Sequence, residues 1–247
     1  MGNQKKRNDE APIEMVVGEV RQALGSTPRG DHVVNVIKGL FAAVPIVGGT
    51  ISSLMGDYIP RRKEQRLIRF TEALAKDLDK IQDRIDTDYI TTDEFAHLFL
   101  KTYRAVEEQY QEEKLEILRA FLVNSLLDRE TSADEKEFFL RVANDLTVLE
   151  AKLLRLFSDP EGTNVALGNP IKPAMMTTSL MSLIRRAFPD MSEDMITAAV
   201  SSLDGRGILG GVAEALKPMM AAGGVEHLGG RLAPFGTKFV QFVTMPD

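Results

Sequence analysis

The chain has 247 residues, 44% of them hydrophobic and 27% charged, a balance that excludes wholesale disorder and allows one large domain or two small ones. A formal net charge of −6 argues against a dedicated nucleic-acid binder, which carries a basic footprint. With no cysteine there can be no disulfide, thiol nucleophile or thiolate metal site, a composition that fits a reducing cytoplasm.

Residues 1–30 read as a polar start followed by a short helix from Pro12 to Leu24, which "GSTPRGD" ends. Lys5, Lys6 and Arg7 are not followed by a compact apolar stretch, so no secretory signal is expected. "MGNQKK" places Lys6 where an N-myristoylation signal needs Ser or Thr.

Gly39 to Gly56 is a run of eighteen uncharged residues, closely followed by the cations Arg61, Arg62, Lys63, Arg66 and Arg69. A membrane span needs about twenty apolar residues, and this run is diluted by Thr50, Ser52 and Ser53 and interrupted by Pro45. Gly48, Ser52 and Gly56 recur every four residues, with Gly49 and Ser53 alongside. Such spacing lets a helix approach a neighbour closely, in a membrane or in a tight bundle. The favoured reading is a helix buried on all sides in a soluble bundle, with release onto a membrane as the alternative. The adjoining cations would suit an anionic lipid surface.

From Arg61 to Ile85, the apolar residues Leu67, Ile68, Leu74, Leu78, Ile81 and Ile85 mark one face of an amphipathic helix. Thr91 and Glu94 have capping-box spacing and predict the start of a long helix running to Leu127. Phe95, Leu98, Phe99, Val106, Tyr110, Ile117, Leu118, Phe121 and Leu122 form its stripe, and Glu108 and Glu112 would share its outer face. Ser132 and Glu135 repeat the spacing before a helix that carries its apolar pattern from Phe138 to Phe157. Residues 31–158 are thus expected to form a helical bundle, and the breaker-rich stretch 159–173 a linker.

Residues 174–247 change character. Two helices, Met175 to Phe188 and Ser192 to Leu203, flank Pro189, and Gly205 or Gly207 is expected to cap the second. Glycine pairs and "TKFVQFV" then suggest a hairpin, so the expected fold is mainly α: an N-terminal bundle with a small winged-helix-like α+β domain. Residues 171–247 hold seven Lys or Arg against seven Asp or Glu, and Glu193 and Asp194 open the second helix. That is a poor design for gripping phosphates, and protein contact is the better expectation.

No motif points to catalysis. His32, His97 and His227 lie in separate segments without metal-ligand spacing, and no phosphate-binding or dinucleotide loop is present. Glu94-x-x-His97 has no mate for a di-metal bundle, and capping accounts for Glu94. Neither a metal nor another cofactor is therefore expected.

The phrases "AAVPIVGGTISSLMGDYIPRRKEQRLIRF", "EEKLEILRAFLVNSL", "DLTVLEAKLLRLFSDP" and "LAPFGTKFVQFV" resemble poorly characterised bacterial helical proteins. In those proteins a bundle with an IPIVGG-type segment joins a winged-helix-like module ending in "LTPxGxxF". Ala233 here stands in the Thr position, and Glu150 stands near where the bundle's last helix commonly has His. Some related families carry an abortive-infection, or phage-defence, label. With no catalytic motif beside this resemblance, the expectation is a non-enzymatic, cytoplasmic bacterial interaction protein acting in defence or stress, whose small-residue apolar helix is able to act at the inner membrane. An adaptor or transcription regulator working through the winged helix is the alternative. A protein partner or self-association is expected in either case, a membrane surface is the further partner considered, and no site residue is carried over.

Overall fold

A computed structural model describes residues 58–166, 178–216, 221–222 and 228–246. These are mainly helical and divide into two compact units. The first comprises the described residues of Met1–Asn144 and Phe242–Asp247, the second Asp145–Gln241. The stretches 1–30 and 39–56, with Gly48, Gly49, Ser52, Ser53 and Gly56, lie outside the described residues.

In the first unit, α1 (Tyr58–Lys80) is followed by a 3-10 turn (Gln82–Arg84) and the short α2 (Thr87–Ile90). The periodic face expected from the sequence is buried at Leu67, Leu74, Leu78, Ile81 and Ile85, with Phe70 completing it. Ile68 is the exception at 50% exposure, because one step from Leu67 turns it about 100° away from the buried stripe. α3 (Asp93–Glu108) and α4 (Glu112–Leu127) pack against α1 and against each other, and α5 (Ala133–Asp145) follows.

The single helix expected from Asp93 to Leu127 is two. The chain turns extended at Gln109 and Gln111, Tyr110 is 76% exposed rather than part of the stripe, and Glu108 and Glu112 fall on different helices. α4 is buried round most of its circumference, from Leu115 through Ile117, Leu118, Phe121, Leu122 and Val123 to Leu126. α1 and α3 cover it, so it needs no polar face. Phe242 belongs to this unit, with its ring 6.2 Å from Phe121 and 5.0 Å from Phe139. The Asn124 amide ties the same segment down by donating to the carbonyls of Phe242 and Thr244.

The caps explain where helices begin. α3 starts one residue later than the capping-box spacing suggested. Thr92, not Thr91, accepts from the Phe95 amide, while the Thr91 hydroxyl donates back to the Asp88 carbonyl. Ser132 does cap α5, accepting from the Glu135 amide. The apolar pattern from Phe138 to Phe157 is also two helices, α5 and α6 (Val148–Ser158), because Thr147 and Glu150 form a reciprocal capping box that restarts the chain.

The second unit contains α6 and α7 (Pro160–Ala166), the latter lying within the stretch read as linker. Next come β1 (Thr178–Ser179), α8 (Leu180–Ala187), α9 (Glu193–Gly205), α10 (Val212–Ala215) and β2 (Ala221–Ala222). α11 (Pro234–Val243) ends the element order. α9 packs on α6, α8 and α10 through Ile196, Val200 and Leu203. β1 pairs antiparallel with β2, Thr178 opposite Ala222, and a single bridge joins Leu209 to Leu232.

Gly207, at φ 73°, ends α9 as expected: its amide bonds the Asp204 carbonyl and Ile208 bonds Leu203, which together make a Schellman motif. "TKFVQFV" is not a strand but most of α11. A proline opens this helix, and Gly236 lets its first turn lie against the Ile208 backbone. A Cβ at Gly236 would sit 2.7 Å from the Ile208 carbonyl carbon and nearer still to its oxygen, so only glycine fits.

Candidate functional sites

α9 is the helix that the sequence reading takes as the second helix of the winged-helix-like region. Ser192 caps the helix through the Met195 amide, and Ile196, Ala199, Val200 and Leu203 face inward. Asp194, Thr197, Ala198 and Ser201, three or four residues apart, are therefore all exposed on the opposite face. Met195 is 55% exposed beside them, and Met191 is also exposed just before the helix. This face carries no Lys or Arg. The neighbouring Arg185 is tied to Glu193 by a 2.8 Å ion pair at the helix start.

The basic cluster lies on α1. Arg62, Lys63 and Arg69 are exposed, and Arg61 lies on the first turns of the same helix. Arg66 is drawn inward and donates to the Glu107 carbonyl at 2.9 Å. Positions 62, 66 and 69 share one side of the helix, while Lys63 points about 100° away. The cations are thus brought near one another but divided between two directions.

Of the buried charged residues Lys114, Lys136 and Glu150, none of which the sequence reading singled out as buried, two organise local networks. Lys136 is 2% exposed, and its ammonium donates to the Asp128 carbonyl (2.9 Å), the Tyr89 hydroxyl (3.2 Å) and the Ser125 carbonyl (3.3 Å). It also lies 4.3 Å from the Tyr89 ring centroid. Tyr89 in turn donates to Glu94 at 2.6 Å, so Glu94 serves this network and not the helix cap assigned to it. Burial pushes the Lys136 ammonium below its ordinary value, partly opposed by the charges of Glu94 and Asp128. Burial and the Glu94 contact push the Tyr89 phenol up. Lys, Tyr and Glu are residue types used in proton transfer, but all three ammonium protons are engaged, two of them by carbonyls at the end of α4. The arrangement acts as a side-chain cap for that helix.

Glu150, 3% exposed, is the second. Burial alone would raise its pKa, but hydrogen bonds from Ser202 and Thr147 and the charge of Arg206 outweigh it, leaving the carboxyl below its ordinary value. It fastens α6 to α9. A third carboxylate, Asp204, accepts from the amides of Gly211, Val212 and Ala213 and so holds the start of α10.

Among the histidines, His97 is described: its Nε2 lies 3.9 Å from Glu137, which also pairs with Lys101. Among the described residues no group of His, Asp or Glu could hold a metal ion, and no helix is long and apolar enough to cross a membrane.

The class these features define is a mainly helical protein with two compact units. No protein-family model matches the chain, and neither a curated protein nor a solved structure does.

Proposed function

We propose that the chain is a non-enzymatic interaction protein whose residues 174–247 form a winged-helix-like module that contacts protein through the outer face of α9. Support for the module comes from the adjacent helices α8 and α9, the β1–β2 pairing and the Leu209–Leu232 bridge. Support for protein as the partner comes from the α9 face itself. Small uncharged side chains at Thr197, Ala198 and Ser201, with exposed Met195 and Met191, suit close packing against another surface. Duplex DNA would meet Glu193 and Asp194 where its phosphates need donors. The resemblance noted in the sequence supports a bacterial cytosolic role in defence or stress, with 39–56 and the α1 cations acting at the membrane surface.

A titration of the full chain with labelled duplex DNA from about 50 to 200 mM salt separates this from the regulator reading. The expected result is no binding beyond weak, sequence-indifferent association. Tight, salt-dependent binding abolished by Ala198→Glu would overturn it in favour of a DNA-binding regulator.

A further inference from the structure

The N-terminal half of α1 and the start of α4 enclose a cleft of about 310 Å³, lined in part by Arg66, Arg69 and Arg119 with Phe70, Tyr110 and Glu112. Three guanidinium groups around one small cleft face a single lining carboxylate. The Nε of Arg66 is buried and makes no hydrogen bond. The Nε of Arg119 lies 2.7 Å from Asp77 Oδ2, an ion pair by distance, yet the contact misses hydrogen-bond geometry and leaves both atoms unsatisfied. Buried donors are normally paired, and the Arg66 Nε left unsatisfied at this cleft marks a place where an acceptor is missing. Arg69 is exposed at its edge, using only its Nε, on the Gln65 carbonyl.

We propose that this cleft binds a phosphate-type oxyanion. Its oxygens would take the free N–H groups of Arg69 and the unpaired edge of Arg66, with the charge of Arg119 beside them, a planar fork geometry that guanidinium matches and ammonium does not. Phe70, 4% exposed, supplies an apolar wall that lowers the local dielectric and strengthens those contacts. α4 begins at the same cleft with Gln111 making no side-chain cap, so its amide end adds positive potential rather than being neutralised there. Glu112 at the rim selects against crowded polyanions and favours a single phosphoryl group. The phosphoryl group can belong to a soluble phosphate compound or to a phospholipid headgroup. The soluble arm is independent of the α9 reading and of any membrane role, and the lipid arm alone rests on the membrane reading.

The experiment is calorimetric titration of the full chain with inorganic phosphate, and flotation with vesicles of neutral phosphatidylcholine with or without phosphatidic acid. Arg69→Met is the test variant, and Lys63→Met, an equal charge loss on the same helix outside the cleft, is the control. The proposal expects Arg69→Met to weaken binding about tenfold or more in at least one arm, with Lys63→Met close to the parent protein. Binding in the first arm identifies a soluble ligand. Flotation only with phosphatidic acid identifies a headgroup. Equal losses in both variants would reduce the effect to general electrostatics and overturn the site, as would the absence of binding in both arms. A membrane role that fails while phosphate still binds leaves the cleft intact.

Discussion

Replacing Lys136 with Met keeps the volume and apolar stem but removes three hydrogen bonds at once. The carbonyls of Ser125, buried, and Asp128, part-buried at the end of α4, would lose their charged donor. Each stranded acceptor costs about 1–3 kcal/mol. Against this, an ammonium that is 2% exposed carries a desolvation penalty of several kcal/mol, which its depressed pKa reflects and which the substitution would relieve. Glu94 reaches the ammonium through Tyr89, and Asp128 meets it through its carbonyl, so a direct ion pair does not explain why a lysine is buried there. Capping does. If capping outweighs desolvation, Lys136→Met should lose about 2–4 kcal/mol. The loss would appear as a lower urea midpoint at unchanged slope, with faster amide exchange at the end of α4. A variant as stable as the parent, or more stable, would refute the capping argument and show that desolvation dominates.

Glu150 has a depressed native pKa, so its contribution is present above the ordinary Glu value and is lost as the pH falls through the native one. Glu150→Gln should therefore lower the melting temperature near neutrality while flattening its decline as the pH falls below the ordinary Glu value, as thermal scans through the acid range would show. Gly236→Ala drives a Cβ into the Ile208 backbone, which cannot swing aside as a side chain can. A loss of about 3 kcal/mol or more is expected in denaturant melts, and a neutral result would mean that α11 starts elsewhere.

What the sequence showed clearly was the interior of strongly periodic helices. Leu67 to Ile85 and Phe95 to Val106 repeat at helical spacing, and burial follows that spacing because one stripe faces a neighbour. The break at Gln109–Gln111 left no mark, since Gln and Tyr are both tolerated in helices and the reversal depends on α3 packing against α4. The break at Leu146–Thr147 was marked, by Thr147 and Glu150 at capping-box spacing. The apolar pattern ran through it and hid it. "TKFVQFV" is rich in aromatic and β-branched residues and reads as a strand. Pro234 as first residue and the close approach at Gly236 make it a helix instead.

The candidate sites divide in the same way. The cation-free face of α9 could be read directly, because solvent-facing positions need only helical spacing and one buried stripe. Lys136 could not. A lysine between acidic neighbours ordinarily signals a solvated face, and only α2, α4 and α5 together make it a buried cap. Arg66 and Arg69 were visible as members of a basic run. Arg119, fifty residues later in the sequence, joins them only through the packing of α1 on α4.

The most direct test of the central proposal places a photo-crosslinking side chain at Ala198 of the full chain and irradiates living cells of the native host. The account predicts a discrete, protease-sensitive adduct that survives nuclease, because α9 faces a protein surface. A nuclease-sensitive adduct, or none at Ala198 when Met195 and Ser201 are likewise silent, would contradict it.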